Sequence, residues 1–238
     1  MRVLVTRPQE STGRFARDLE AAGHQALISP VIRIEGTGFV IPDERFDGII
    51  ATSAHAFEIL QAEDTALSHL RALPLYAVGE RTAAAARSKN FSNIACVREN
   101  STSLASFILD QLPASSNLLY LAGENRKPAL ESELNGAGHQ VIAVAVYRAA
   151  AMAELSSEAI TSIRTGEIGA IVHFSQRSAQ IFTRLVIQAG ITGESRDILH
   201  ICLSADVQAG LADLAPVKSA VAAIPGSSAL IQCLGGGD

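Results

Sequence analysis

The sequence predicts an α/β protein made of two similar small domains, each with a parallel sheet flanked by helices. Short apolar runs alternate with stretches of helical periodicity, and the loops between them are short, which is the pattern of a largely parallel sheet. The pattern occurs twice along the chain, which indicates a duplication. With 238 residues, 48% of them hydrophobic, the chain can build one large core or two of modest size.

The first elements are a strand, a helix and a second extended segment. Residues 2–6 form an apolar run typical of a buried strand. Apolar residues at helical spacing follow, and Gly23 stands where helices commonly end. Residues 26–28 and 31–32 are extended, with an interruption at Pro30, and the Gly-rich stretch at 34–41 has no helical period. Such a stretch is typical of a linker.

Residues 46–60 join a strand to a helix. The first half is a short apolar run, which indicates a strand buried on both faces. Thr52 and Ser53 then supply N-cap chemistry for the helix. A turn of this kind leaves backbone N–H groups free at the carboxyl edge of the sheet, where open α/β sheets bind ligands and helix N-termini favour anions. The same construction returns at residues 168–182.

The elements between these two stretches continue the alternation. Residues 75–79 form a strand, residues 80–82 lead it into a helix at 83–87, and residues 94–97 form a short strand. Residues 101–103 (Ser-Thr-Ser) are predicted to cap the next helix. Residues 118–123 then begin the cycle again.

The duplication is visible as a repeat of short segments in one register. Residues 21–25 (Ala-Ala-Gly-His-Gln) reappear at 136–140 as Gly-Ala-Gly-His-Gln, and at that register the first strand falls on residues 118–120. The second copy is completed by strands predicted at 201–205 and 221–224. Two similar domains also suggest that a ligand binds between them.

The positions of the linkers predict a discontinuous arrangement of the domains. A simple tandem would break near residues 113–116, but that connection is short. The Gly-rich stretch at 34–41 and the Ala-rich stretch at 148–153 are better candidates, because short loops belong inside domains and linkers between them. The predicted domains are therefore 1–35 with 150–238, and 37–148.

Composition and charge exclude several classes of protein. The net charge of -5 and the absence of a Lys/Arg run argue against nucleic-acid binding. The three cysteines, Cys96, Cys202 and Cys233, lie far apart and indicate a reducing cytoplasm, with neither a disulfide framework nor a zinc site. The first apolar run is too short for a signal peptide, and no segment approaches the ~20 apolar residues of a membrane span. We therefore expect a cytoplasmic protein.

Side chains at the predicted strand-to-helix turns are the candidates for ligand binding. The sequence has no dinucleotide-binding or phosphate-binding glycine loop, no metalloprotease motif and no nucleophile elbow. For the hydroxyl groups of Thr52, Ser53, Ser175 and Ser178 both helix capping and ligand binding are open. Arg7 and Arg177 stand at strand ends, where a guanidinium group pairs naturally with carboxylates.

Two glycines, a histidine and a tyrosine complete these candidates. Gly79 and Gly123 close strands, either as ordinary turns or as positions where a ligand approaches the backbone. His55 lies in a strand-to-helix turn and can face a ligand. Tyr147 precedes the second linker, so it is either directed towards the other domain or packed with its hydroxyl in water.

Five segments together resemble the uroporphyrinogen-III synthase family, and they occur in order along the whole chain. They are residues 4–8 (LVTRP), 50–56 (IATSAHA), 76–82 (YAVGERT), 122–126 (AGENR) and 146–148 (VYR). The resemblance implies two small α/β domains joined by a two-stranded linker, with the N-terminal segment in the domain that the C-terminus completes. Thr6 and Thr82, inside these segments, join the predicted substrate-binding residues.

The resemblance also implies an activity. The family converts hydroxymethylbilane, a linear tetrapyrrole, to uroporphyrinogen III without cofactor or metal, and we expect a monomer that acts on this small molecule. Tyr147 is the candidate for assisting the departure of the substrate hydroxyl group. Two alternatives are open: a non-enzymatic two-domain sensor that binds a small anion in the interdomain cleft, and a carboxylate-handling enzyme with His55 as base.

Overall fold

The computed structural model describes residues 1–8, 12–60, 67–97, 100–224 and 226–235. The strands are β1 (Arg2–Val5), β2 (Gln25–Ile28), β3 (Ile32–Gly36), β4 (Gly48–Ala51), β5 (Leu75–Val78), β6 (Ile94–Val97), β7 (Asn117–Gly123), β8 (Gln140–Ala151), β9 (Ile168–His173), β10 (Leu199–Cys202) and β11 (Ser219–Val221). The helices are α1 (Gly13–Ala21), α2 (His55–Ile59), α3 (Glu80–Arg87), α4 (Ser101–Gln111), α5 (Ala129–Gly136), α6 (Ser157–Arg164), α7 (Gln176–Gln188), α8 (Thr192–Asp197), α9 (Ala205–Ala209) and α10 (Ser227–Gln232).

These elements form two units, each with its own sheet. Unit 1 comprises Met1–Arg33 and Ala150–Asp238, and unit 2 comprises Ile34–Ala149. The sheet of unit 1 has the strand order β11-β10-β9-β1-β2, and the second sheet has the order β3-β8-β7-β4-β5-β6. The strands of the first sheet, and β4 to β8 of the second, pair in parallel. The predicted α/β class with parallel sheets is confirmed.

The two sheets share one topology, in circularly permuted form. In unit 2 the chain runs from β4 outwards through β5 and β6, then returns to place β7 and β8 on the other side of β4. In unit 1 the strands β9, β10 and β11 run outwards in the same way, while β1 and β2, from the beginning of the chain, occupy the other side. The duplication predicted from the sequence therefore corresponds to two copies of one strand order.

Equivalent turns in the two copies make equivalent hydrogen bonds. The backbone N–H of His24 donates to the carbonyl of Leu19, and that of His139 donates to the carbonyl of Leu134. Gly23 and Gly138, just before these histidines, both have positive φ, a conformation that glycine adopts without steric cost. The helix-to-strand turn therefore has the same backbone geometry and the same hydrogen bond in both copies.

Helices cover both faces of each sheet. In unit 2, α2 and α3 pack on one face, and α4 and α5 pack on the other. This division follows from the topology, because right-handed crossovers to opposite sides of the starting strand place their helices on opposite faces. In unit 1, α1 and α10 pack on one face, while α7 and α9 pack on the other.

The chain passes between the two units in a pair of antiparallel strands. It leaves unit 1 within β3 and returns within β8, and these strands are hydrogen-bonded neighbours. The N–H of Thr37 donates to the carbonyl of Val146, and the N–H of Met152 donates to the carbonyl of Val31. The residue numbers rise along one strand as they fall along its neighbour, so the two strands are antiparallel. Both stretches predicted as linkers thus contain strand residues.

Other boundaries differ from those predicted from the sequence. The cap of α4 is Asn100, whose side-chain oxygen accepts from the N–H groups of Thr102 and Ser103, so the prediction that residues 101–103 cap this helix was wrong by one position. The last strand is Ser219–Val221 rather than residues 221–224. Both errors are within the usual uncertainty of element ends.

Two buried histidines form a hydrogen-bonded pair in unit 1. His200 Nε2 lies 3.0 Å from the carbonyl oxygen of Ser195, and a carbonyl only accepts, so Nε2 carries the proton. His200 Nδ1 then accepts from His173 Nε2 at 3.0 Å. This assignment leaves His173 Nδ1 as a lone pair, in agreement with its lack of a hydrogen-bond partner. Burial lowers the pKa of both rings, so the pair is neutral.

We expect the histidine pair to make unfolding pH-dependent below neutrality. The folded-state pKa values lie below the unfolded value of about 6.5, so the stabilisation is complete above pH ~6.5 and falls as the unfolded chain takes up protons. The free energy of unfolding should drop by up to about 1.4 kcal/mol per pH unit for each histidine. Urea unfolding at pH 7.5, 6.5 and 5.5 measures the slope.

The double variant His173→Gln/His200→Gln should flatten this slope while lowering the stability at pH 7.5. His24→Gln is the control, because His24 is not buried, and it should retain the full slope. An unchanged slope in the double variant would show that other groups determine the dependence.

We expect residues 34–149 to fold without the rest of the chain. This fragment keeps β4 between β7 and β5, whereas a fragment of residues 1–113 separates β1 from β9 and β4 from β7. Each loss exposes the edge of a strand that is buried along all or most of its length. Fragment 34–149 should therefore unfold cooperatively in urea, and fragment 1–113 should not. The reverse result would contradict the division into these units.

Candidate functional site

Both sheets have a topological switch point, where chain connections leave two neighbouring strands in opposite directions. In unit 2 this point lies between β4 and β7, and in unit 1 it lies between β9 and β1. Open α/β sheets bind ligands in the crevice outside the carboxyl ends of such strands. We therefore expect ligand-binding groups in the residues that directly follow β4, β7, β9 and β1.

A pocket of about 510 Å³ opens at the switch point of unit 2. It is built from the turn after β4, the end of β7 and the segment that follows it, the first residues of α4 and α5, and β8. The lining residues are Thr52, Ser53, Val78, Ser101, Thr102, Tyr120, Gly123, Asn125, Arg126, Lys127, Ala129, Leu130 and Tyr147. Of the predicted site residues, Thr52, Ser53, Gly123 and Tyr147 are thus brought together.

Tyr147 is placed by a bulge in β8. Ala122 of β7 pairs with Ala145, but Gly123 pairs with Tyr147, so Val146 is an extra residue. Strict alternation would place Tyr147 on the same face as Ala143, yet Tyr147 packs with the core on the opposite face. The bulge therefore re-aims the tyrosine at the carboxyl edge of the sheet.

Gly123 provides the space for the Tyr147 ring. A Cβ atom on Gly123 would lie 2.8 Å from Tyr147 Cζ and 2.9 Å from its hydroxyl oxygen. The absence of a side chain on Gly123 thus leaves the space that the Tyr147 ring occupies. The sequence left open whether the glycine makes an ordinary turn or admits a ligand, and the structure shows a contact that neither alternative included.

His55 lies beside Tyr147 and belongs to a small charged cluster. The two ring centroids are 5.7 Å apart, with an interplanar angle of 62°. His55 Nδ1 contacts a carboxylate oxygen of Glu58 at 2.5 Å, and Arg81 approaches the other oxygen at 3.3 Å. A carboxylate on Nδ1 keeps a proton there and leaves Nε2 as the proton-accepting atom of the neutral ring.

Tyr120 and Thr52 join the two strands of the switch point inside the pocket. Their hydroxyl oxygens are 2.8 Å apart. Burial raises the pKa of the Tyr120 phenol, with smaller contributions that include Tyr147 and Glu131, so the phenol is protonated at neutral pH and can donate a hydrogen bond. Tyr120 was not among the residues predicted from the sequence, because a tyrosine within an apolar run is typical of a core.

Two cations stand in the segment between β7 and α5. Arg126 pairs with Glu131 at 2.5 Å, and Lys127 follows it. The pocket lining contains both cations and no carboxylate among the described residues. Arg126 was identified from the sequence only as part of a family segment, and Lys127 was not a predicted site residue. Their position directly after a buried strand was the signal that could have identified them.

In unit 1 the predicted hydroxyl-bearing site residues make hydrogen bonds within the fold. The Thr6 hydroxyl is buried and donates to the carbonyl of Val172 at 2.9 Å, which ties β1 to β9. Ser175 is the N-cap of α7 and forms a capping box with Ser178. The Ser178 side chain is buried, so helix capping, one of the two open roles, is present at both serines.

The two arginine candidates of unit 1 differ in their surroundings. The Arg7 guanidinium lies 4.5 Å from the centroid of the Phe174 ring, so the residues that follow β1 and β9 meet at the switch point through a cation–π contact. Arg177 is exposed, in the first turn of α7.

Gly79 and Thr82 do not line the pocket. Gly79 is the N-cap residue of α3 with φ +79°, and its Cβ position has open space around it, so the glycine is required by its backbone conformation. Thr82 is buried in α3. The counterpart of Gly79 in unit 1 is Ser204, which has extended backbone geometry and caps α9 through its hydroxyl.

The fold and the pocket define a class: a duplicated doubly wound α/β protein with a cationic, hydroxyl-rich pocket at a sheet switch point. The family model described as "Uroporphyrinogen-III synthase HemD" matches residues 13–232. The chain belongs to the uroporphyrinogen-III synthase family, as the resemblance of its sequence segments predicted. The sensor alternative is not favoured by this membership.

Known relatives are similar in sequence over part of the chain and in fold over nearly all of it. A uroporphyrinogen-III synthase of Chlorobaculum parvum is 34% identical over 87 residues, which is 34% of this chain and 35% of that protein. The uroporphyrinogen-III synthetase of Helicobacter pylori has a TM-score of 0.63 at 17% identity, covering 98% of both chains. A mutant uroporphyrinogen III synthase of Thermus thermophilus has a TM-score of 0.50 at 18% identity, covering 99% of this chain and 96% of that one. The structural matches support the two-domain fold.

We expect Gly123→Ala to displace the Tyr147 ring, because the new methyl group would overlap it, at a stability cost of about 1–3 kcal/mol. The chain has three tyrosines and no tryptophan, so incorporation of 3-fluorotyrosine gives a simple ¹⁹F NMR spectrum. Tyr147→Phe assigns the Tyr147 signal, which should shift in Gly123→Ala.

Gly136→Ala is the matched control, since nothing lies within 4 Å of its Cβ position. This variant should leave all three fluorine signals in place. An unshifted Tyr147 signal in Gly123→Ala would contradict the packing role of Gly123.

Proposed function

We propose that this protein converts hydroxymethylbilane to uroporphyrinogen III, as a cyclising lyase of tetrapyrrole biosynthesis. The observation that carries the proposal is the family match over residues 13–232. The reaction removes one water, closes the macrocycle and inverts ring D. We further propose that the protein acts as a cytoplasmic monomer. None of the described helices is long and apolar enough to cross a membrane.

The chemistry begins with loss of the terminal hydroxyl group. This group leaves as water together with the proton of the pyrrole nitrogen, which gives an azafulvene. The substituted carbon of ring D attacks the azafulvene to form a spiro intermediate, and fragmentation and reclosure then invert the ring. Direct closure at the free position gives the type I isomer instead.

The protein therefore has to favour one closure over another. Each ~1.4 kcal/mol of preference for the spiro route changes the isomer ratio tenfold. Holding the substrate in a folded conformation provides such a preference through orientation. The enzyme needs no strong nucleophile for this task, because the azafulvene already supplies the reactive carbon.

We assign the assistance of water loss to Tyr147. Its ring is held by Gly123 and by the edge of His55, and it lines the pocket at the carboxyl edge of the sheet. A neutral phenol can donate a hydrogen bond to the departing hydroxyl oxygen, which stabilises the developing charge. His55, held by Glu58, then acts by positioning the tyrosine rather than as the base of the alternative mechanism.

Substrate binding depends on local donors. The substrate carries eight carboxylates, whereas the protein has a net charge of -5, so long-range attraction is unfavourable. The groups proposed to bind it are Thr6, Arg7, Thr52, Ser53, His55, Gly79, Thr82, Gly123, Ser175, Arg177 and Ser178, through side chains or backbone N–H groups. Each charge-assisted hydrogen bond contributes roughly 1.5–3 kcal/mol.

We expect the purified protein to divert freshly generated hydroxymethylbilane to the type III isomer with no added metal or cofactor. Oxidising the products to porphyrins and separating the isomers measures the ratio. A mixture with a small amount of protein should be mostly type III, and the mixture without protein should be type I. Products that remain type I, with binding of the substrate, would instead identify a sensor.

Tyr147→Phe is the internal test of mechanism in the same assay. Removal of the hydroxyl group should lower the rate of type III formation about 10- to 100-fold, in line with loss of general acid assistance, while the thermal midpoint changes little. An unchanged rate would exclude the proposed role of the hydroxyl group.

A further inference from the structure

We propose that Lys127 binds a carboxylate of the substrate in the unit 2 pocket, with one carboxylate-bearing pyrrole ring packed beside Tyr120 and Tyr147. This inference rests on the proposed function, since it assigns part of that substrate to a described pocket. It makes Lys127 a residue that determines affinity for the substrate side chains.

The charges that line the pocket support an anionic ligand. Arg126 and Lys127 both line it, and no carboxylate belongs to the described lining. The Arg126 charge is compensated by Glu131 at 2.5 Å. Among the residues that the structure describes, no acceptor is paired with the Lys127 ammonium group. Lys127 therefore supplies the uncompensated positive charge of the pocket.

The Arg126–Glu131 pair has a positioning role in this arrangement. Arg126 lies just before Lys127, and Glu131 lies in the first turn of α5, so their contact ties the segment before the helix to the helix itself. Arg126 Nη1 also approaches the carbonyl oxygen of Gly123 at 3.5 Å. These contacts hold the segment that carries Lys127 against the end of β7.

The remaining lining suits an aromatic ring with polar substituents. Tyr120, Tyr147, Val78 and Leu130 provide aromatic and apolar surface, and hydroxyl groups stand at the turn after β4. The volume of about 510 Å³ lies in the range of pockets for small ligands. A pocket of this size takes one end of a linear tetrapyrrole, with a carboxylate reaching the ammonium group.

Steady-state kinetics of type III formation test the proposal first. Lys127→Met removes the charge and keeps an unbranched side chain, so the apparent KM for hydroxymethylbilane should rise roughly five- to tenfold with kcat nearly unchanged. Lys127→Arg keeps the charge and should restore most of the affinity. Lys89→Met, in the same unit but outside the pocket lining, is the matched control and should behave as the wild type.

A binding measurement separates this proposal from the catalytic one. The chain has lysines only at positions 89, 127 and 218, so reductive ¹³C-methylation gives few NMR signals and keeps each charge. Titration with porphobilinogen, a monopyrrole with one acetate and one propionate side chain, should shift the Lys127 signal. The Lys89 and Lys218 signals should not move.

Failures of the two proposals have different signatures. Type III formation with unchanged KM in Lys127→Met, and a Lys127 signal that porphobilinogen does not move, would overturn the role of Lys127 and leave the activity standing. A shifted Lys127 signal in a protein that yields only type I products would overturn the proposed function and leave an anion-binding pocket.

Discussion

The pairing of β1 with β9 is the contact on which the rest of the architecture depends. Val3 pairs with Ala26 on one side and with Ala170 on the other, so the beginning of the chain occupies the centre of a sheet that the second half supplies. A central strand is buried on both faces and both edges, and its loss would expose all of them. Unit 2 is consequently an insertion, with both its ends in the paired strands β3 and β8.

The same topology determines where chemistry can occur. Placing strands on both sides of a starting strand creates a crevice at its carboxyl end, and in unit 2 that crevice is lined by hydroxyl groups, two tyrosines and two cations. The strand that carries Tyr147 is also one of the two that connect the units. A local irregularity, the bulge at Val146, is sufficient to turn this side chain to the edge. A protein of net negative charge thus presents a locally positive pocket.

The sequence predicted the class of fold, the duplication and the capped turn at Ser175, because these depend on local patterns: apolar runs, helical spacing and residues with capping chemistry. The predicted N-cap at Thr52 and Ser53 was wrong, because the N-cap residue of α2 is Ala54, without a side-chain cap, and the Ser53 hydroxyl only accepts from the N–H of His55 at 3.3 Å. It also predicted a discontinuous arrangement from the positions of two linkers. The predicted ends of helices and strands were less accurate. At α4 several neighbouring polar residues can serve as the N-cap, and the structure has Asn100 in this position. The surroundings of His173 could not be predicted. Its partner His200 lies on the neighbouring strand, and no local pattern shows such a neighbour.

The sequence by itself therefore determined the family, the type of fold and four of the thirteen described residues that line the pocket. Tertiary structure alone decided that Gly123 makes room for Tyr147 and that Thr52 contacts Tyr120. It also decided that, within the described part of the chain, Arg126 has a carboxylate partner and Lys127 has none. The physical reason is the range of the interactions. Capping and periodicity act over three or four residues, whereas the contacts of the pocket join groups far apart in sequence: Gly123 and Tyr147 are 24 positions apart, and Thr52 and Tyr120 are 68 positions apart. Only the packed sheet brings such groups within hydrogen-bonding distance.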